Sequence, residues 1–219
     1  KFGFNKDNFV EVMTSGEMIW QSLYLKSQKF VQNLGKNCYH LFDETNVDDS
    51  RYIDGLNYNF VKNIEEADFI LGCTISPGQT TLDYVPILKK AIENDIPFVC
   101  ANPDFETVEF SSSICMGTVS TLYSEFGGKV FIMGKPSTKI YNETTKKLKE
   151  INKSKILAVG DSIHHDIKGA LLYGVDSLLI TSGIHKSSFD KYNPKWDTDI
   201  NELIKYKILP TYFSSKFQF

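Results

Sequence analysis

The sequence predicts an α/β protein built on parallel sheets, and two observations carry that prediction. Short apolar runs recur at 38–42, 68–74, 96–101, 129–134, 155–160 and 176–182, with helical patterns or Gly/Pro punctuation between most of them. From 129 onward the alternation becomes strict: strand, helix, strand, helix, strand. That rhythm reads as right-handed βαβ units, which place parallel strands side by side.

The elements follow in chain order. Residues 14–35 predict one helix, with Thr14 and Glu17 at capping-box spacing and Met18, Ile19, Leu23, Phe30, Val31 and Leu34 as its apolar positions. Gly35 is placed to end it in a left-handed conformation. Residues 43–66 are polar and weakly patterned. Pro77–Gly78 punctuates the turn after the strand at 68–74. Residues 79–94 look helical, with Pro86 expected to kink that helix or delay its start. Residues 102–128 read as loop-rich. Further helices are expected from 137 to about 152 and over 163–173, the latter closed by Gly174.

Composition narrows the function classes. A chain of 219 residues, 42% hydrophobic, can bury a sizeable core in one or two domains. A net charge of −3 gives no general pull toward nucleic acid or anionic lipid. No apolar run approaches the ~20 residues that span a bilayer, and no signal peptide is visible. The expectation is a cytoplasmic protein with neither nucleic-acid nor membrane partners. Arg51 is the only arginine, so phosphate recognition would fall to lysine or backbone amides. Cys38, Cys73, Cys100 and Cys115 match no zinc or redox spacing and read as buried, reduced thiols.

Ligands of parallel α/β sheets gather at the C-terminal ends of the strands. Three segments fall there: Gly134-Lys135-Pro136-Ser137, Gly160-Asp161-Ser162 and Thr181-Ser182-Gly183. Ser137 can cap a helix whose free amides suit an anion, and Lys135 adds a compact positive charge. Asp161 ends one strand and Asp166 opens the next helix, so both carboxylates can reach one hard divalent cation. A lysine beside a carboxylate-held cation suits neutralisation of a transferring phosphoryl group. Taken singly, Lys135 reads as a solvated loop lysine, and the two aspartates as a turn residue and a helix-start residue. Their combined order is far rarer than its parts. His164 and His165 diverge by ~100° as helix neighbours and do not suggest a zinc site. His40 and His185 show no partners in the sequence, and the aromatic tail 212–219 is expected to pack on the core.

These segments carry a family resemblance. VGDSIHHDIKGALLYGVDSLLITSGI resembles the fourth motif of haloacid-dehalogenase-like (HAD) phosphatases, and IMGKPSTKIY their third. Cys100-Ala101-Asn102-Pro103-Asp104 is similar to the Asn-Pro-Asp segment of subclass IIA, which includes 4-nitrophenylphosphatase-like and pyridoxal phosphatase proteins. The resemblance implies a three-layer parallel-sheet HAD core with a large α/β cap: a remnant of the N-terminal core at 1–13, the cap at 14–128, and the C-terminal part of the core at 129–219. It makes Lys135 the catalytic lysine that also contacts substrate phosphate, Asp161 and Asp166 the Mg²⁺ carboxylates, and Asn102 and Asp104 substrate-side residues of the cap. Asn-Pro-Asp is also ordinary turn chemistry. The implied activity is Mg²⁺-dependent hydrolysis of small phosphate monoesters.

The family's nucleophilic aspartate, the acid/base two residues later, and a phosphate-holding Ser or Thr all precede the cap. A cap helix that begins near residue 14 leaves no room for them, so residues 1–219 are expected to be truncated and impaired in turnover. Asp197-Thr198-Asp199 is the only Asp-x-Asp triplet and reads as a cap for a helix at 200–203. Two partners follow as expectations: a complementing N-terminal fragment, or a second copy pairing along an open sheet edge. The alternative to an enzyme is a non-catalytic binding module or the remnant of a split gene.

Overall fold

The computed structural model describes residues 5–105, 114–148, 151–186, 189 and 207–217. The chain forms two compact units: Met13–Gly134, and Lys1–Val12 together with Lys135–Phe219. The first is therefore an insertion within the second.

The insertion is a five-stranded, wholly parallel sheet. Its strands are β1 (Asn37–Leu41), β2 (Asn59–Val61), β3 (Phe69–Gly72), β4 (Phe98–Cys100) and β5 (Val130–Ile132), in the order β2-β1-β3-β4-β5. Central strands buried on both faces need continuous apolar runs, and β3 and β4 have them. Phe69, Ile70, Leu71, Phe98 and Val99 are fully buried. Helix α4 (Thr81–Glu93) starts from a Thr80/Asp83 capping box and packs Tyr84, Leu88 and Ala91 into the core. Pro86 lies inside this helix without delaying its start.

Four segments differ from the sequence expectation. Thr14 does cap a helix, its hydroxyl accepting from the Glu17 amide at 3.0 Å, but α1 (Ser15–Leu25) stops where Lys26 turns left-handed (φ 48°). A short second helix, α2 (Lys29–Gln32), follows. Gly35 ends neither helix. A Cβ there would lie 2.2 Å from the Asp68 carboxyl carbon, and that carboxylate accepts from the Lys36 and Asn37 amides, each at 2.7 Å. The glycine makes room for this clamp at the start of β1. The weakly patterned 43–66 stretch holds α3 (Val47–Ser50) as well as β2. The loop-rich reading of 102–128 gives way to α5 (Met116–Glu125), whose buried face is Met116, Val119, Ser120 and Tyr123. Gly and Ser on that face hide its period from an apolar count.

The run at 129–134, assigned from its rhythm to the C-terminal part, supplies β5. That strand pairs with β4 in the inserted sheet, and the boundary falls after Gly134. A strand run carries no signal of which sheet it will join.

The second unit carries a three-stranded parallel sheet in the order β6-β7-β8: β6 (Leu157–Gly160), β7 (Asp176–Ile180) and β8 (Tyr212–Ser214). Ser137 caps α6 (Thr138–Thr145), shorter than the helix expected to reach about 152. The 163–173 segment is a π-helical turn (Ile163–Ile167) running into α7 (Lys168–Tyr173), closed by left-handed Gly174 (φ 79°). Lys147 pairs with Glu11, joining the N-terminal stretch to this unit. The tail does not bury its aromatics as expected: it forms edge strand β8, and Phe213 is 78% exposed. The triplet Asp197-Thr198-Asp199 and the expected helix at 200–203 lie outside the described residues.

None of the four cysteines forms a disulfide and all are buried, and burial raises the thiols of Cys38, Cys73 and Cys100, the last to about 11. Among the described residues no helix is long and apolar enough to cross a membrane.

His40 on β1 stacks on Phe42 at 4.3 Å, and both ring nitrogens are buried without hydrogen-bond partners. Burial lowers its pKa from 6.5 to about 4. Below pH 6.5 the unfolded chain takes up a proton that the fold refuses until about pH 4, so stability falls as pH drops through that window. Urea denaturation between pH 7 and 4.5 should show this fall, and His40→Phe should flatten it. Equal slopes for the two proteins would refute the assignment.

Candidate functional site

Three of the five expected site residues lie in the unit formed by Lys1–Val12 and Lys135–Phe219. Strand β6 ends at Gly160, so Asp161 and Ser162 emerge at its C-terminal rim. The π-helical turn then brings Asp166 back over the strand end. A side chain at 160 would put its Cβ 2.2 Å from the Asp166 carboxyl carbon, so the carboxylate lies where only glycine leaves space.

Asp166 is engaged at every polar atom. Its Oδ1 accepts from the Lys135 ammonium at 2.6 Å, and its Oδ2 from the Ser162 amide at 3.0 Å. Its own amide donates to the Ser162 carbonyl at 2.8 Å, and its carbonyl accepts from the Tyr141 hydroxyl at 3.0 Å. The Lys135 side chain is 46% exposed and that of Asp166 is 11% exposed, so the ammonium faces solvent while the carboxylate is shielded. Burial and then the Asp166 charge raise the Tyr141 hydroxyl to about 12, which keeps it a donor at neutral pH.

Asp161 is held separately. Its Oδ2 accepts from the Ile184 amide at 3.0 Å, and a Cβ at Gly183 would lie 2.0 Å from that oxygen. Thus Gly183, from the third rim segment, admits the first carboxylate much as Gly160 admits the second. No hydrogen bond to Asp161 Oδ1 is formed among the described residues.

Asp161 and Asp166 are the donors this rim offers to a divalent cation. Among the described residues no three His, Cys, Asp or Glu side chains gather as a ligand cluster. Two hard carboxylates, one with an uncommitted oxygen, fit Mg²⁺, which keeps several waters and takes phosphate oxygens. They do not fit Zn²⁺, which favours three or four nitrogen or sulfur ligands. The histidines have structural roles: His165 Nδ1 meets the Ser162 hydroxyl at 2.9 Å, and His185 Nε2 accepts from the Ile163 amide at 3.3 Å. The sequence had shown no partner for His185.

Asn102 and Asp104 lie in the other unit, after β4. The Asn102 side-chain oxygen accepts from the Asp104 amide at 3.3 Å, and the Asp104 carbonyl accepts from the Gly117 amide at 3.1 Å, which ties the turn to the start of α5. This is turn chemistry. In the same unit the strand order reverses between β1 and β3. A cleft of about 500 Å³, lined by Asp48, Asp49, Arg51, Tyr52, Cys73 and Thr74, contains neither residue.

Sequence reasoning passed over Ser162, Tyr141 and the Ile184 amide. Ser162 was recoverable from its place next to Asp161 and four residues before Asp166, the spacing of a helix cap.

Residues 132–204 match the HAD-hydrolase-like family. No curated protein matches the chain significantly. Among solved structures, a haloacid-dehalogenase-like hydrolase from Brucella suis 1330 is 28% identical, with a TM-score of 0.71 over 84% of this chain and 66% of that one. A possible sugar phosphatase of the HAD superfamily from Cytophaga hutchinsonii is 20% identical, with a TM-score of 0.69 over 100% of this chain and 75% of that one. A glycerol phosphate phosphatase from Mycobacterium tuberculosis, solved with calcium, is 21% identical, with a TM-score of 0.59 over 93% and 54%. The chain spans just under two thirds of the first relative's length and about half of the third's.

The ion pair makes a quantitative demand. Lys135→Met strands a shielded carboxylate and should cost between the ~1 kcal/mol of an exposed pair and the ~3–5 kcal/mol of a buried one. Adding Asp166→Asn should recover part of that loss in denaturant melts. Additive losses would show that the two residues do not interact.

Proposed function

We propose, from the match over residues 132–204, that the chain is haloacid-dehalogenase-like and that the rim of β6 binds Mg²⁺ and the phosphoryl group of small phosphate monoesters, as in subclass IIA phosphatases. The observation that carries this reading is the Lys135–Asp166 contact of 2.6 Å, in the same unit as Asp161 at the end of β6. Asp161, with its uncommitted oxygen, would help hold the cation, and Asp166 would fix Lys135. The cation supplies charge neutralisation at the phosphoryl oxygens. Lys135, half exposed, supplies a second positive charge on the solvent side, where a phosphate arrives. The calcium bound by the mycobacterial phosphatase supports a divalent cation in this fold. By the family resemblance the inserted unit would be the cap, with Asn102 and Asp104 as its substrate-side residues. Four cysteines outside any disulfide favour a reducing, cytoplasmic setting.

Turnover through an aspartyl-phosphate needs a further carboxylate. At the C-terminal ends of β6, β7 and β8 the carboxylates among the described residues are Asp161 and Asp166. The described rim is therefore proposed to bind with little or no turnover by these two carboxylates alone. A complementing N-terminal fragment would bring the nucleophile, whereas a second copy would only pair along an open sheet edge. Strand β6 pairs with β7 alone among the described residues, and its Leu157 and Val159 are 48% and 41% exposed. A parallel strand added to that edge would end beside Asp161. The competing reading, a module that binds without chemistry, rests on the same shortage of carboxylates.

Magnesium and 4-nitrophenyl phosphate decide between these readings. The 1–219 chain should bind Mg²⁺, and Asp161→Ala should weaken binding by tenfold or more, ~1.4 kcal/mol or above. Hydrolysis should be negligible until an Asp-x-Asp-bearing strand segment is added. Robust Mg²⁺-dependent hydrolysis by residues 1–219 alone, abolished by Asp161→Ala, would overturn the proposed shortage. An absence of Mg²⁺ binding would sink the site itself.

A further inference from the structure

Tyr141 follows Lys135 by six residues, on the inner face of α6, and touches neither the expected metal nor a phosphate position. Its hydroxyl donates to the Asp166 backbone carbonyl at 3.0 Å. The ring lies against Gly169 on α7, where an added Cβ would fall 2.5 Å from the hydroxyl oxygen and 2.7 Å from a ring carbon. Its other neighbour is Tyr173, stacked at 5.3 Å between ring centroids with 24° between planes. The Tyr173 hydroxyl meets Thr145 Oγ1 at 2.8 Å, and Thr145 donates to the Tyr141 carbonyl at 2.7 Å. The tyrosine is thus braced on three sides with its hydroxyl aimed at one atom.

That atom belongs to an unusual piece of backbone. The π-helical turn closes with the Lys168 amide donating to the Ile163 carbonyl, five residues back. A π turn holds an extra residue relative to α-helix and persists only where outside contacts favour it. Relaxation to α geometry would swing neighbouring side chains by roughly 100° about the axis. Asp166 would then leave both Lys135 and the Ser162 amide.

We infer that Tyr141 is a positioning residue: by holding the Asp166 carbonyl it keeps the Asp166 carboxylate at the rim, aligned for Lys135 and the cation. Gly169 is part of the device, because any side chain there displaces the ring. The role in cation binding rests on the function proposed above. The hold on Asp166 does not.

Tyr141→Phe keeps the ring and its packing and removes only the hydroxyl. Two readouts on the 1–219 chain test it: amide hydrogen exchange at Ser162 and Asp166, and Mg²⁺ affinity from NMR titration. Exchange at those two amides should speed up about tenfold and Mg²⁺ should bind about tenfold more weakly, the size expected for one lost hydrogen bond. Exchange at Leu179 in β7 should be unchanged. Gly169→Ala, which crowds the same ring, should reproduce the pattern. Wild-type exchange and affinity in Tyr141→Phe would overturn the inference, and so would a uniform rise that includes Leu179, since that marks general loosening. If the wild-type chain binds no Mg²⁺, the proposed function fails, and the exchange at Ser162 and Asp166 still decides whether Tyr141 holds the turn.

Discussion

Asp166 is a shielded carboxylate held in place by hydrogen bonds at each of its polar atoms, and the geometry of the rim depends on that restraint. A carboxylate withdrawn from water is costly unless its lone pairs are met, and here an ammonium and a backbone amide meet them. The arrangement needs a strand end with no side chain, which Gly160 supplies, and a turn wound to return the carboxylate over that end. With Asp166 fixed, Lys135 is drawn to the same rim although it lies 31 residues earlier in the chain.

The inserted unit uses the same device for a purely structural end. Asp68 bonds the amides of Lys36 and Asn37, and Gly35 is bare so that the carboxylate can approach. Among the described residues a carboxylate received by a backbone amide over a glycine therefore recurs at Asp68 and Asp166, and again at Asp161 over Gly183. What separates the two sites is the lysine: Asp68 meets backbone donors alone, whereas Asp166 also orients a half-exposed cation toward solvent. The half-exposed ammonium is what Asp68 lacks.

Much of this was legible in residue order. The apolar runs of β1, β3, β4, β6 and β7 announced themselves, because strands in parallel sheets are buried on both faces and must be nearly continuous in hydrophobicity. Lys135 does meet Asp166 as the sequence suggested, but not by sharing a sheet edge: β5, which precedes the lysine, lies in the inserted sheet, and β6 lies in the other. Other elements were hidden for identifiable reasons. Helix α5 buries a face containing Gly117 and Ser120, which an apolar period does not register, and β2 is three residues with an exposed surface.

The sequence by itself determined the class of fold and the places of Lys135 and Asp161 just past strand ends, since these follow from local pattern. Only the tertiary structure decided that Val130–Ile132 pairs into the inserted sheet, that Gly35, Gly160 and Gly183 each make room for an aspartate, and that Tyr141 bonds the Asp166 carbonyl. Those outcomes depend on close approach between segments distant along the chain. A residue's own neighbours in sequence state its conformational preference and its polarity, but the atom that will occupy the space beside it is set by packing.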